Sequence, residues 1–122
     1  MTPLLLAWLA AAAAPDPGMV ACRNAPTESV LARCWQGQRQ QAEAAVDGAV
    51  ARLIDRNRDD EPGLAEALSA SQAAWRAWRD IQCRVDTWDS RLGTAAGVYL
   101  DQCLAGYARQ RASHLAAMVA QP

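Results

Sequence analysis

A chain of 122 residues with a net charge of -1 has room for one domain, and so balanced a charge excludes a nucleic-acid binder read through a basic face. Hydrophobic residues make up 52% of the chain, much of that alanine, while phenylalanine is absent and isoleucine occurs only at Ile54 and Ile81, a composition that favours helices over sheets. All 12 basic residues are arginine, and none of them forms a basic block.

The chain opens on "MTPLLLAWLAAAAAPDPG": a short apolar run, an alanine tract suited to a small-residue cleavage rule, then a Pro-Asp-Pro-Gly break. In outline this is a secretory signal peptide over residues 1–14, followed by a short linker at 15–21. Leu4 to Ala14 falls far short of the ~20 apolar residues that a membrane span needs, so none is expected. Cys22, Cys34, Cys83 and Cys103 follow, and an even number of cysteines in a short exported chain predicts two disulfides and a periplasmic or secreted location. "MVAC" at Met19 to Cys22 loosely resembles a lipoprotein box in which Cys22 would carry lipid. That alternative strands an odd cysteine and is disfavoured against the paired reading.

Three helices are predicted. The first starts after Thr27 as N-cap, with Glu28 complementing its dipole, keeps a helical period through Leu31, Cys34, Ala42, Ala45, Ala49 and Leu53, and stops at "RNRDDEPG". The second runs from about Leu64 to Leu92, with Leu64, Leu68, Ser71, Trp75, Trp78, Val85 and Leu92 near one stripe, and Gly93 ends it. The third starts near Ala96, its inward stripe carrying Leu100, Cys103 or Leu104, Tyr107, Arg111, Leu115 and Met118. Short connectors make this an all-α, three-helix, antiparallel up-down-up bundle. Cys83 and Cys103 sit at nearly the same height on either side of the second connector, so the preferred bridges are Cys83 to Cys103 and Cys22 to Cys34. The other pairings stay open, because Cys34 also belongs near this end.

Chemistry finds little support. The thiols contain no C-x-x-C pair and the sole histidine, His114, has no H-x-x-x-H companion, so no metal or cofactor is expected. Neither G-x-S-x-G nor a phosphate loop occurs, and Asp59, Asp60 and Glu61 sit in a turn beside Pro62 and Gly63, which reads as solvated rather than catalytic. Trp75 and Trp78 share a helix face with the spacing of core residues, with the second reading that Trp78 or Trp88 stays exposed as an interface anchor. Arg79 and Arg111 fall on or beside inward stripes and call for partners, for which Asp80 and Asp86 are the nearest carboxylates in sequence.

The stretch "LSASQAAWRAWRDIQC", the turn at Gly93 and Thr94, and "CLAGYARQRASHL" resemble the LprI-like lysozyme-inhibitor domain family. The resemblance is carried by Leu68, Gln72, Trp75, Arg79, Asp80, Cys83, Gly93, Cys103, Arg111 and Leu115, with Trp78 at the aromatic position, and upstream by Cys22, Thr27 and Cys34. It spans residues 22–119. Departures are Val46, Asp47 and Val50, where the family tends to have Leu-Asn and a tyrosine, and Ala108 in place of a threonine. The resemblance implies an envelope protein, not an enzyme, that binds a lysozyme-type muramidase and blocks its hydrolysis of peptidoglycan. Asp59, Asp60, Glu61, Arg91 and Thr94 are the candidate partner contacts. The alternative is a general envelope interaction or scaffold module without lysozyme inhibition, with an apolar patch around Trp35 or Trp88.

Overall fold

The computed structural model describes residues 15–57 and 62–121; the expected signal peptide and the acidic turn at Asp59, Asp60 and Glu61 lie outside the described residues. In chain order the elements are α1 (Pro17–Cys22), α2 (Glu28–Arg56), α3 (Leu64–Asp86), one 3-10 turn at Trp88–Ser90 and α4 (Ala96–Val119), with no strand among the described residues.

The stretch read as a linker holds α1 instead. Asp16 caps it, Oδ1 accepting from the amides of Gly18 at 2.7 Å and Met19 at 3.3 Å, and Pro17 begins it at a position that has no N–H bond to lose. Six residues are too few to hold a helix alone, so its stability comes from docking. A Cβ on Gly18 would overlap the ring of Trp35, so glycine is what lets α1 lie against that tryptophan. The Cys22–Cys34 bridge, with 5.7 Å between Cα atoms, ties its end to α2.

Thr27 caps α2 as expected, its side chain accepting from the amide of Val30 at 3.1 Å. Trp35, Ala42, Val46, Ala49 and Leu53 form its buried stripe. Gly63, at φ 88°, makes the left-handed step into α3 that a side chain would strain. α3 stops at Asp86, short of the predicted Leu92, because Thr87 turns its hydroxyl back onto the carbonyl of Cys83 at 2.7 Å and the chain tightens into the 3-10 turn.

Arg39 near the start of α2 bonds Asp101 near the start of α4, and Arg56 at the end of α2 donates to the carbonyls of Met118 and Gln121, so these two helices run parallel. α3 runs antiparallel to both, bridged to α4 by Cys83–Cys103, again with 5.7 Å between Cα atoms. The up-down-up bundle and both preferred disulfides are therefore present. Each bridge closes a short loop and stabilises by about 3 kcal/mol in the chain-entropy picture.

The closest packing is between α2 and α4, where Ala42, Val46 and Ala49 meet Ala105, Ala108 and Leu115 in the main core. Alanine on both sides lets the backbones approach, and α3 lies over this pair through Leu68 and the half-buried Trp75. A smaller cluster of Cys22, Trp35 and Val98 lies under α1. Two predicted stripes are rotated in the fold. On α3 the buried residues are Leu68, Gln72, Arg79 and Cys83, while Trp78, Val85 and Leu92 are exposed, because the disulfide and two polar side chains fix which face turns inward. On α4, Val98, Ala105, Ala108 and Leu115 are buried, Tyr107 and Arg111 meet α3 instead, and Met118 is exposed.

Ala108→Leu is expected to force α2 and α4 apart at a cost of about 1–3 kcal/mol, lowering the melting temperature by roughly 5–20 °C for a domain of this size. Ala44→Leu, on the solvent side of α2, should leave it within a few degrees; thermal melts followed by circular dichroism compare the two.

Candidate functional site

Two groups of functional side chains stand out, one inside the bundle and one at its end. The inner group is a chain of charges crossing all three long helices. The Arg79 side chain, only 6% exposed, donates from Nη1 to Glu43 at 3.1 Å and from Nη2 to Asp80 at 3.1 Å. Glu43 also receives Arg39 at 3.2 Å, and Arg39 donates to Asp101 at 2.7 Å. The hydrogen bond from Arg39 to Asp101 is the main reason its guanidinium is held protonated even more firmly than usual. Two turns nearer the start of α3, Arg111 donates to Gln72 at 2.8 Å and Ser71 at 3.0 Å, and both Arg79 and Arg111 lie over the ring of Trp75.

Asp80 is thus a partner of Arg79, as its sequence position suggests, but Asp86 is a partner of neither arginine. Arg111 takes neutral oxygens because it faces α3 two turns nearer its N-terminus than Arg79, where Gln72 is the inward residue. Among the described residues no buried side-chain polar atom lacks a hydrogen bond. A network so completely satisfied orders the helices against one another. Nor do the described residues include any group of three or more His, Cys, Asp or Glu side chains able to hold a metal, and the four thiols are spent in disulfides.

The second group sits where α3 turns into α4. Long side chains on a helix lean towards its N-terminus, and on α4 that direction takes Tyr107 along the Cys83–Cys103 bridge to Asp86. The Tyr107 hydroxyl donates to Asp86 Oδ2 at 2.7 Å, Gln82 donates to the other oxygen at 2.7 Å, and Trp78 meets the Tyr107 ring edge-on with centroids 5.1 Å apart. The bond from Tyr107, and then that from Gln82, hold the Asp86 carboxyl below the usual carboxylate range; the same bond pushes the Tyr107 hydroxyl up.

Above this lock the connector projects. Arg91 lies over the exposed ring of Trp88 at 4.1 Å and donates to the Trp88 carbonyl at 2.8 Å, so its guanidinium is held in one place. Leu92 beside it is 89% exposed, and Thr94 is also exposed. Arg84, Thr87, Trp88, Arg91, Gly97 and Leu100 line a largely apolar groove under the projection. Of the residues singled out from the sequence, the fold gathers Gln72, Trp75, Arg79 and Arg111 between the helices, leaves Asp80 exposed beside Arg79, brings Trp78 to the edge of the lock, and puts Arg91 and Thr94 on the connector. Asp59, Asp60 and Glu61 lie outside the described residues. Glu43 was not foreseen, although the i,i+4 spacing of Arg39 and Glu43 was there to read. Nor was the pairing of Arg91 with Trp88, which depends on the unanticipated 3-10 turn.

The family model described as "Lysozyme inhibitor LprI" matches residues 22–115. An uncharacterised protein of Rhizobium meliloti (strain 1021) is 29% identical over 111 residues, covering 83% of this chain and 78% of its own. The crystal structure of a DUF1311 family protein from Pseudomonas putida KT2440 is similar with a TM-score of 0.68 and 30% identity, over 75% of this chain and 92% of that one.

Two predictions follow from the geometry. Glu43→Ala leaves the buried Arg79 with Asp80 alone and is expected to cost about 1–3 kcal/mol in chemical denaturation. The Asp86 contact contributes stability that is present above pH ~4 and lost as pH falls through the lowered Asp86 value; the Tyr107 contact contributes stability present below pH ~10 and lost as pH rises through the raised Tyr107 value. Titration of the Tyr107 ring by NMR should therefore shift towards the ordinary phenol range in Asp86→Asn.

Proposed function

The chain belongs to the lysozyme inhibitor LprI family, and from that premise we propose that it is an exported envelope protein that binds a lysozyme-type muramidase and blocks its cleft without catalysis of its own. The observation that carries the reading is the Arg91 guanidinium stacked on Trp88 at the exposed end of the bundle. A glycosidase of this kind works through paired carboxylates flanking the scissile bond. A guanidinium is the side chain best matched to a carboxylate, and one already fixed in position loses little entropy when it engages. The connector carrying it is braced at its base by Cys83–Cys103 and the Asp86–Tyr107 bond, so a narrow, stiff projection is offered to a concave partner.

Export is supported by the leader at 1–14 and by two disulfides; among the described residues no helix is long and apolar enough to cross a membrane. At a net charge of -1, long-range attraction to a basic enzyme is weak, and affinity rests on local contacts. The alternative reading is a scaffold module for another envelope protein, favoured by the exposed Trp88. The other tryptophan proposed for such a patch, Trp35, is buried under α1 and supplies no surface.

Lysis of peptidoglycan by several lysozyme classes, with and without the oxidised protein, is the test. Inhibition at micromolar concentration is expected, with Arg91→Glu or Trp88→Ala weakening it about 10- to 100-fold, as for a central interface residue. No inhibition of any class, together with an envelope protein that co-purifies, would select the scaffold module instead.

A further inference from the structure

α3 is turned the unusual way round. Of the four residues it buries, Gln72 and Arg79 are polar, whereas the side facing away from the bundle carries Ala67, Ala70, Ala74, Ala77, Ile81 and Val85, all exposed. No charged residue interrupts that side, which spans roughly a third of the circumference at 3.6 residues per turn. Ile81 and Val85 are each 62% exposed, and Trp78 at the edge of the stripe is 51% exposed. A surface helix ordinarily keeps its apolar stripe for the core.

From this face we infer that α3 pairs with α3 of a second copy, antiparallel, about a two-fold axis passing between Ala74 and Ala77. The stripe is small in its first half and bulky in its second. An isologous contact lays the two halves against each other, which puts Ile81 of one copy opposite Ala70 of the other and Val85 near Ala67. A parallel pairing would set bulk on bulk and leave the alanine halves apart. Charge supplies an independent argument. Glu66 and Arg84 are eighteen residues, or five full turns, apart and so border the stripe on the same flank. Neither has a hydrogen-bond or ion-pair partner among the described residues. In an antiparallel helix pair like flanks meet, so Glu66 of each copy faces Arg84 of the other, giving two symmetric ion pairs. The two connectors then stand at opposite ends of the assembly, roughly 40–50 Å apart, and both stay open.

Sedimentation equilibrium of the oxidised protein at tens of micromolar is expected to return the mass of two chains. Ile81→Glu should raise the dimer dissociation constant about 100-fold or more by placing two charges in the seam, with the helical circular dichroism signal unchanged. Glu66→Arg and Arg84→Glu should each weaken the dimer about tenfold, and the double exchange should bring it back to within about threefold of the parent. A single-chain mass at hundreds of micromolar would overturn the inference. So would a dimer indifferent to Ile81→Glu, or a charge exchange that fails to restore association.

Discussion

Alanine against alanine fixes the spacing of α2 and α4, and the remaining architecture is organised around that spacing. Ala42, Ala49, Ala105 and Ala108 are all buried in one cluster, and side chains this short let two parallel helices run close together with little room between them. The third helix cannot nest equally deep. It is held over the pair by longer groups: Trp75 packed against the cluster, Arg79 reaching across to Glu43, Gln72 meeting Arg111, and a covalent bridge at one end. A polar layer is therefore a geometric outcome of a narrow alanine seam, because only long side chains span the wider gap on that side.

This explains which parts of the molecule could be read in the sequence. Local signals were legible: the Thr27 cap, the Pro62–Gly63 turn, and the cysteines placed at equal heights on a hairpin. Facing was not. Period analysis follows hydrophobicity, and on α3 the more hydrophobic side looks outward, so the expected stripe included Trp78 and Val85, passed over Gln72 and left Arg79 only at its border. What turns the helix is a disulfide and a set of charge partners on other helices, and nothing in the sequence near Arg79 announces Glu43, which lies 36 residues upstream on α2. The short α1 escaped notice for the same reason: its cap is local, but its support is Trp35 and a bridge to α2.

The residues that mark the family and those proposed to meet a partner are largely separate. Gln72, Trp75, Arg79, Cys83, Cys103 and Arg111 converge within the bundle or staple it, with Asp80 pairing Arg79 from the surface, which is why they identify the fold so well. Trp88, Arg91, Leu92 and Thr94 sit on a projection that the motif supports without specifying. Exchanging connector residues therefore leaves the buried network untouched, and relatives with the same scaffold are free to differ in what they bind.

The order of the cysteines has a bearing on how the molecule is made. Its bridges join the first cysteine to the second and the third to the fourth, over 12 and 20 positions, so neither loop encloses the other. Of the three ways to pair four thiols, this is the one in which each cysteine bonds its neighbour in the sequence, so that in a chain oxidised as it emerges N-terminus first Cys22 and Cys34 are already joined when Cys83 appears. Both closures are local, each between two helices consecutive in the chain, and each requires only nearby structure to have formed. Oxidative maturation can thus proceed stepwise behind the leading end, with little call for an isomerase to undo crossed linkages.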